Sequence, residues 1–261
     1  MKRFIFVALV LAAAICSCKS QYELLLEGSD VDAKYAAAFD YFNQEKYTKA
    51  AALFESLALA VDGTERGDTV NYYWGLSNYR SKDFYTAEAN FTKFLDNYPS
   101  SPFVESAEFL KIDCLYRATL RYELDQTPTY TAISAISQYL STYPDSENAE
   151  TCRFVLQELG ERLDKKAYEN AKLYYTLEDY KSARVALKNV LKDDADNIYR
   201  EDILYYSAMA SYKYALNSIP SKQKERYMTF ADDYFTFIGE YPDSNYRKEL
   251  DNLYKKVKEK I

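Results

Sequence analysis

The chain has 261 residues, a formal net charge of −7, 28 tyrosines and no histidine. Without histidine it lacks the usual general base and the commonest metal ligand, so the sequence predicts no catalytic residues, no metal site and no cofactor. An acidic chain does not offer the clustered lysines and arginines that neutralise phosphates, which excludes nucleic acid as a partner. Six glycines and six prolines leave little material for the turns of a β fold, and we expect an all-α protein.

The first residues form a targeting signal. Lys2 and Arg3 precede an apolar run of 12 residues that ends at Ile15, shorter than the about 20 residues that a transmembrane helix needs. Small residues then lead to Cys18, in the arrangement of a bacterial lipoprotein cleavage box. The sequence therefore predicts a lipoprotein signal peptide over residues 1–17 and acylation of Cys18, which would attach the protein to a membrane through the lipid anchor only. The alternative is an ordinary secretory signal that happens to contain cysteines.

Five copies of a helical hairpin follow a short lipidated tether, which is predicted over residues 18–29. A hairpin of the tetratricopeptide type has a small residue on its first helix, another near the start of its second helix, and a ring four residues later. This pattern is met by Ala38, Ala50 and Phe54 in the first copy and by Gly75, Ala87 and Phe91 in the second. Because one hairpin cannot bury its own apolar face, the copies must stack, and we predict a tetratricopeptide-repeat α-solenoid.

The third to fifth copies are longer than the standard repeat of about 34 residues. A polar turn over residues 122–128 separates the helices of the third copy, and the first helix of the fourth is predicted over residues 147–177. The fifth copy is broken at residues 218–221, before a helix over residues 222–240. Beyond it, apolar residues recur at helical spacing over residues 250–257, which predicts a C-terminal capping helix.

Two further cysteines, Cys114 and Cys152, lie in apolar helical stretches of adjacent repeats. In an oxidising compartment such a pair can form a disulfide that links the two repeats. Buried free thiols, which pack as small apolar side chains, are the other interpretation. The sequence leaves both open.

The first helices of a tetratricopeptide stack line its concave groove, and here they are rich in rings. Rings provide contact area at a low entropic cost, and arginine binds a carboxylate with two N–H groups. Together they suit an extended peptide that carries aromatic side chains or a free C-terminus. The alternative is that many of these rings belong to the core between repeats. The candidate groove residues are Tyr35, Phe39, Phe42, Tyr72, Leu76, Tyr79, Arg80, Phe109, Tyr116 and Arg117.

Three further segments, at Leu124–Thr127 with Tyr130, at Lys166–Lys172 and at Lys224–Tyr227, accompany the hairpins. With these segments, the order of lipoprotein box, repeats, insertion and terminal helix resembles the BamD family. These are the tetratricopeptide-repeat lipoproteins of the machinery that assembles β-barrel proteins in the outer membrane. The resemblance covers essentially all of the mature chain. It implies a non-enzymatic protein that is lipid-anchored in the outer membrane and faces the periplasm.

The resemblance also implies two protein partners. In that family the N-terminal repeats handle unfolded outer-membrane proteins, and the C-terminal repeats dock the barrel-forming subunit. Carried over to this chain, repeats 1–3 at residues 30–144 become the candidate substrate groove. Repeats 4–5 and the capping helix at residues 145–261 become the docking region, with Arg200 and Arg226 as candidate ion-pair donors. The alternative function is another periplasmic tetratricopeptide adaptor, such as a coordinator of cell-wall synthesis and division.

Overall fold

The computed structural model describes residues 20–261, and within that range the chain forms twelve α-helices and no β-strand. The helices are α1 (Gln21–Glu27), α2 (Val31–Asn43), α3 (Tyr47–Ala58), α4 (Gly67–Arg80), α5 (Phe84–Asn97), α6 (Val104–Arg117), α7 (Thr127–Thr142), α8 (Ala149–Thr176), α9 (Tyr180–Asp193), α10 (Arg200–Leu216), α11 (Pro220–Glu240) and α12 (Arg247–Val257). The predicted signal peptide and Cys18 lie outside the described residues. No helix in the described range has both the length and the hydropathy needed to cross a bilayer.

Ten of the described helices, α2 to α11, form five consecutive hairpins, and α12 follows them as the predicted C-terminal helix. The tetratricopeptide-type all-α fold is therefore confirmed. In the third hairpin, Tyr139 of α7 packs against α6, with its ring centroid 6.3 Å from that of Phe109. The terminal helix packs on α11, where the rings of Tyr234 and Tyr254 are stacked at 4.6 Å.

The chain divides into two compact units. Of the described residues, unit 1 holds 20–118 with 138–148, and unit 2 holds 119–137 with 149–261. These compact units differ from the functional halves that the resemblance implies, which meet at residue 144, because residues 119–137 belong to unit 2 and residues 145–148 to unit 1. The functional roles predicted for the two halves stay predictions.

Part of the segment predicted as a tether is helical. Ser20 caps α1 through a reciprocal capping box, in which the Glu23 N–H donates to Ser20 Oγ and the Ser20 N–H donates to the Glu23 carboxylate. Tyr22 then packs edge-on against the ring of Tyr41, and its hydroxyl donates to the Lys49 carbonyl at 3.2 Å. The helix therefore docks on the first hairpin, which the sequence analysis did not predict.

The two helices of the second hairpin approach each other at Gly75, the small residue of the repeat pattern. A Cβ atom built at Gly75 would lie 2.8 Å from Cε1 of Phe91, whose side chain is fully buried. Real Cβ contacts are not this short, so only glycine fits here. By contrast, a Cβ atom at Gly160 in α8 would meet no heavy atom within 4 Å. The first glycine is required by packing and the second is not.

The sequence Tyr-Pro-x-Ser, which occurs at residues 98–101, 143–146 and 241–244, ends a hairpin and leads into the next helix. The Tyr98 N–H donates to Phe94 O at 2.8 Å, which closes α5, and Ser101 Oγ accepts from the Phe103 N–H at 3.3 Å. Ser101 Oγ also donates to Asp68 Oδ2 at 2.8 Å, which ties the turn to the first helix of its own hairpin. The same side-chain-to-backbone bond recurs at the next three turns, where Ser146, Asn197 and Ser244 accept from the N–H groups of Asn148, Tyr199 and Tyr246. In the fourth hairpin Asn197 thus replaces the serine of the motif.

Tyrosine hydroxyls join neighbouring elements through carboxylates, once between the second and third hairpins and three times between the fifth hairpin and the terminal helix. Four such bonds of 2.7–2.8 Å join Tyr79 to Asp113, Tyr205 to Glu249, Tyr234 to Asp251 and Tyr246 to Asp202. Burial, followed by the hydrogen bond to the carboxylate, raises the pKa of Tyr79 to about 12. For Tyr246 the hydrogen bond to Asp202 is the larger cause, and the pKa is again raised to about 12. Each ring is thus packed in or against the core, while its hydroxyl donates to an acid.

Both described cysteines, Cys114 and Cys152, are buried free thiols. Burial raises the pKa of Cys114 to about 12, and burial also raises the pKa of Cys152. The structure therefore favours the interpretation as small core side chains over the disulfide.

We expect the substitutions Gly75→Ala and Gly160→Ala to have opposite effects on stability. The methyl group at Gly75 must displace the Phe91 ring, which costs about 1–3 kcal/mol in free energy of unfolding. The methyl group at Gly160 meets open space, and alanine stabilises a helix by about 1 kcal/mol relative to glycine. Urea unfolding followed by circular dichroism measures both values. Equal losses in the two variants would contradict the packing constraint at Gly75.

We also expect the protein to lose stability at alkaline pH. Tyrosines of the unfolded chain ionise near pH 10, whereas Tyr79 and Tyr246 keep their protons in the native state up to about pH 12. The raised pKa contributes stability that is fully present below pH 10 and is lost between pH 10 and about 12. The free energy of unfolding, measured in steps across this range, should therefore fall. Tyr246→Phe keeps the ring but removes one titrating group, so its free energy of unfolding should fall less steeply with pH. A pH dependence identical to that of the wild type would contradict this explanation.

Candidate protein-binding surfaces

Tyr72, predicted on the groove wall, lies in the core instead. Its side chain is buried, its ring is stacked on that of Phe103 at 4.4 Å, and its hydroxyl hydrogen-bonds Ser106 at 2.8 Å. The same stack recurs in unit 2, where Tyr168 lies on Tyr199 at 4.9 Å and Tyr205 on Tyr246 at 4.0 Å. In each case the second ring lies two residues after the Ser or Asn of the preceding turn. These rings join the repeats and do not line a groove.

Four half-buried rings form a continuous cluster on the first two hairpins, which we call the aromatic surface: Tyr35, Phe39, Phe42 and Tyr73. The ring centroid of Tyr73 lies 4.8 Å from that of Phe39 and 5.1 Å from that of Phe42. Phe39 lies 5.0 Å from Tyr35, over which the guanidinium of Arg66 is placed at 4.7 Å. Three predicted groove residues are thus brought together.

Tyr73 was missed by the sequence analysis, which chose its neighbour Tyr72. Successive residues of an α-helix differ in direction by about 100°, so a one-residue error exchanges a core ring for a surface ring. No spacing rule in the sequence distinguishes two adjacent tyrosines. The contacts of Tyr73 with the preceding hairpin make the distinction.

Further along unit 1, the predicted residues are engaged with one another. Asp113 Oδ2 accepts from the Tyr79 hydroxyl at 2.7 Å and from Arg117 Nε at 2.6 Å. The guanidinium of Arg117 also lies over the ring of Phe84 at 4.6 Å, and the hydrogen bond to Asp113 raises the pKa of Arg117. Arg80 is exposed. Of the positive groups predicted here, Arg80 is therefore placed to meet a carboxylate, whereas Arg117 already holds one.

The remaining groove candidates, Leu76, Phe109 and Tyr116, are all half-buried in unit 1. Leu76 packs against the core of the second hairpin, and Phe109 packs against Tyr139. Of the predicted groove residues, Tyr35, Phe39 and Phe42 therefore form one ring cluster, whereas Leu76 and Phe109 pack against other parts of unit 1.

Both arginines predicted to dock a partner bind groups of their own unit. Arg200 forms a fork with Glu240, with Nε to Oε2 at 2.7 Å and Nη2 to Oε1 at 2.9 Å, and this raises the pKa of Arg200. The guanidinium of Arg226 lies 4.0 Å from the ring centroid of Tyr214 and donates to Ser218 Oγ. To bind a partner, each arginine would have to exchange these contacts for new ones.

Acidic residues are numerous, but they do not assemble into a metal site. In residues 20–261 no group of three or more Asp, Glu or Cys side chains is arranged to hold a metal ion. The acids described above are instead bound to turn serines, tyrosines and arginines. Their geometry is that of structural hydrogen bonding.

Comparison with known proteins gives the family. A family model described as YfiO, outer membrane lipoprotein, matches residues 28–227, which include α2 to α10 and the first part of α11. The chain belongs to the YfiO family of outer membrane lipoproteins. It is accordingly a lipid-anchored protein of the outer membrane that faces the periplasm.

One curated relative is the outer membrane protein assembly factor BamD of Caulobacter vibrioides, which is 21% identical over 159 residues. The match covers 60% of this chain and 52% of the relative, so the chain spans about half the length of the curated relative that it matches. Together with the family match, this confirms the resemblance seen in the sequence. Acylation at Cys18 and the partners remain proposals.

Proposed function

We propose that the chain is a non-enzymatic scaffold of the machinery that assembles β-barrel proteins in the outer membrane. The observation that carries the proposal is the family match over residues 28–227, joined with a relative named as an assembly factor. The fold supports it, because stacked helical hairpins present extended surfaces to other proteins. An enzymatic role finds no support in a chain without histidine whose acids serve as structural hydrogen-bond acceptors.

The aromatic surface is the proposed site for unfolded barrel precursors. Its four rings are held by their neighbours at centroid distances of 4.8–5.1 Å, so little side-chain entropy remains to be lost on binding. Strands of barrel proteins alternate apolar and polar residues and carry aromatic residues near their ends. Such a segment can place its rings against the aromatic surface, while its C-terminal carboxylate forms an ion pair with a cationic side chain such as the exposed Arg80.

The barrel-forming subunit is proposed to dock on the C-terminal repeats, most of which lie in unit 2. The lipid anchor is proposed at Cys18, which is two residues before the Ser20 cap of α1. Two residues span at most about 7 Å, so the docked helix α1 keeps the first hairpin close to the membrane surface. The chain would contact the membrane through this anchor only.

Purification of the tagged, full-length lipoprotein in a mild detergent tests the proposed function. We expect a large outer-membrane β-barrel protein with periplasmic domains to co-purify in stoichiometric amount. Recovery of a cell-wall synthesis complex instead, or of no barrel protein, would contradict the proposal. Mass spectrometry of the same preparation should show an acylated cysteine at the mature N-terminus.

Peptides that end in an aromatic C-terminal strand test the aromatic surface. We expect Tyr73→Ala and Phe42→Ala each to raise the dissociation constant by about tenfold or more, as for central interface rings. Tyr85→Ala is the matched control, because Tyr85 is 89% exposed on α5 and contributes no ring to the aromatic surface. Circular dichroism confirms that each variant remains helical. If the Tyr73 and Tyr85 variants bound the peptide with equal affinity, the aromatic surface would not be the substrate-binding site.

A further inference from the structure

Unit 2 contains a cavity of about 530 Å³ between α8, α9 and the start of α7. Small side chains form much of its wall, at Gly160, Ala167, Ala171 and Ala186. A Cβ atom at Gly160 would meet no heavy atom within 4 Å, which shows open space at that point. The wall can therefore accommodate the apolar stem of a long side chain.

The rim of this cavity is acidic and lacks a counter-charge. Asp164, Asp193 and Asp194 line it, and among its described lining residues there is no lysine or arginine. Burial raises the pKa of Asp164, the Ile198 N–H that donates to Asp164 Oδ2 at 3.0 Å opposes this rise, and the neighbouring Asp194 carboxyl adds to it. A cationic group that entered the cavity would thus meet carboxylates without a basic partner in the wall.

The basic residues of α8 that neighbour Asp164 in the sequence contact another part of unit 2. Lys166 Nζ donates to the carbonyl oxygens of Tyr122 and Leu124 at 3.0 and 2.8 Å, and Lys165 lies over the ring of Tyr122. Arg162 donates to Thr119 Oγ1 and to Glu158. These contacts hold the long loop before α7, and none of the three basic side chains lines the cavity.

A buried amide in the wall gives independent support for a ligand. Asn197 is only 2% exposed, and its Oδ1 accepts from the Tyr199 N–H at 2.9 Å. Its Nδ2 has no hydrogen-bond partner among the residues that the structure describes. A buried donor without an acceptor is unfavourable, so a ligand that brings an acceptor to Asn197 Nδ2 would gain a hydrogen bond that the free protein lacks.

We propose that this cavity binds an arginine or lysine side chain of an extended partner polypeptide. The aliphatic stem of that side chain would lie on the small residues, and its cationic head would be held by Asp164 and Asp194. A backbone carbonyl of the same segment would accept from Asn197 Nδ2. The ring of Tyr130, which is 61% exposed and lines the cavity, would lie beside the cation.

The inference rests on the proposed function for the identity of the partner, but not for the chemistry of the site. It assigns the acidic cavity, and not Arg200 or Arg226, as the charged determinant of docking in unit 2. The complementary surface on the partner would then be basic.

The test uses the full chain and the peptide acetyl-Thr-Val-Arg-Val-Thr-amide, with a matched peptide in which citrulline replaces arginine. Isothermal titration at low salt should show binding of the arginine peptide and about tenfold or more weaker binding of the citrulline peptide. Higher salt should weaken the first interaction, because screening acts on partly exposed charges.

Two leucine variants separate the cavity from general effects on the fold. Gly160→Leu fills the cavity and should weaken binding of the arginine peptide by about tenfold or more. Gly239→Leu is the control: Gly239 lies in α11, outside the cavity wall, and a Cβ atom there also meets no heavy atom within 4 Å. Asp194→Asn should weaken binding with no change in helicity.

Equal affinity for the arginine and citrulline peptides, unchanged binding by Gly160→Leu, or no binding to the wild type would each overturn the inference. The same experiments test the proposed function independently of the cavity. If the arginine peptide binds but no barrel protein co-purifies, the site is retained and the assembly role is lost. If the barrel protein co-purifies equally well with Gly160→Leu and the peptide does not bind, the cavity is not the docking site.

Discussion

The two helices of a hairpin can lie close together only where a small residue on the first helix faces a ring on the second. At Gly75 the space is so limited that even a methyl group would collide with Phe91. This close approach directs the remaining apolar residues of both helices toward the neighbouring hairpins, since one hairpin is too thin to bury them. Stacking follows from it.

Tyrosine resolves a conflict that stacking creates. The junction between two hairpins needs large rings, yet it lies near solvent, where a fully apolar surface would be exposed. A phenol ring can be packed on one side and hydrogen-bonded at its tip, and here the tips are bound by Asp113, Asp202, Glu249 and Asp251. The abundance of tyrosine and the excess of acids are therefore two parts of one structural arrangement. Part of the acidic charge of the chain therefore serves these contacts and not a binding site.

The distribution of charge partners changes where recognition is expected. Arginine is the usual candidate for binding a partner, but Arg117, Arg200 and Arg226 already contact a carboxylate, a ring or a hydroxyl in their own units. In the cavity of unit 2, by contrast, carboxylates lack a basic partner and a buried amide lacks an acceptor. A binding partner can gain more from a charge that has no opposite charge beside it, or from a donor that has no acceptor, than from groups that are already paired. On this argument the rings of unit 1 and the acidic cavity of unit 2 are the two surfaces with interactions to offer.

By itself the sequence determined most of the helices and the family. The predicted helices over residues 147–177 and 222–240 correspond to the observed Ala149–Thr176 and Pro220–Glu240. These features are local, because periodicity, caps and prolines act within a few residues. Only the tertiary structure decided that Tyr72 is core and Tyr73 is surface, that α1 docks on the first hairpin, and that both described thiols are free. Those outcomes depend on how each helix is rotated about its axis when it packs on residues tens of positions away in the sequence. A local sequence pattern does not specify that rotation.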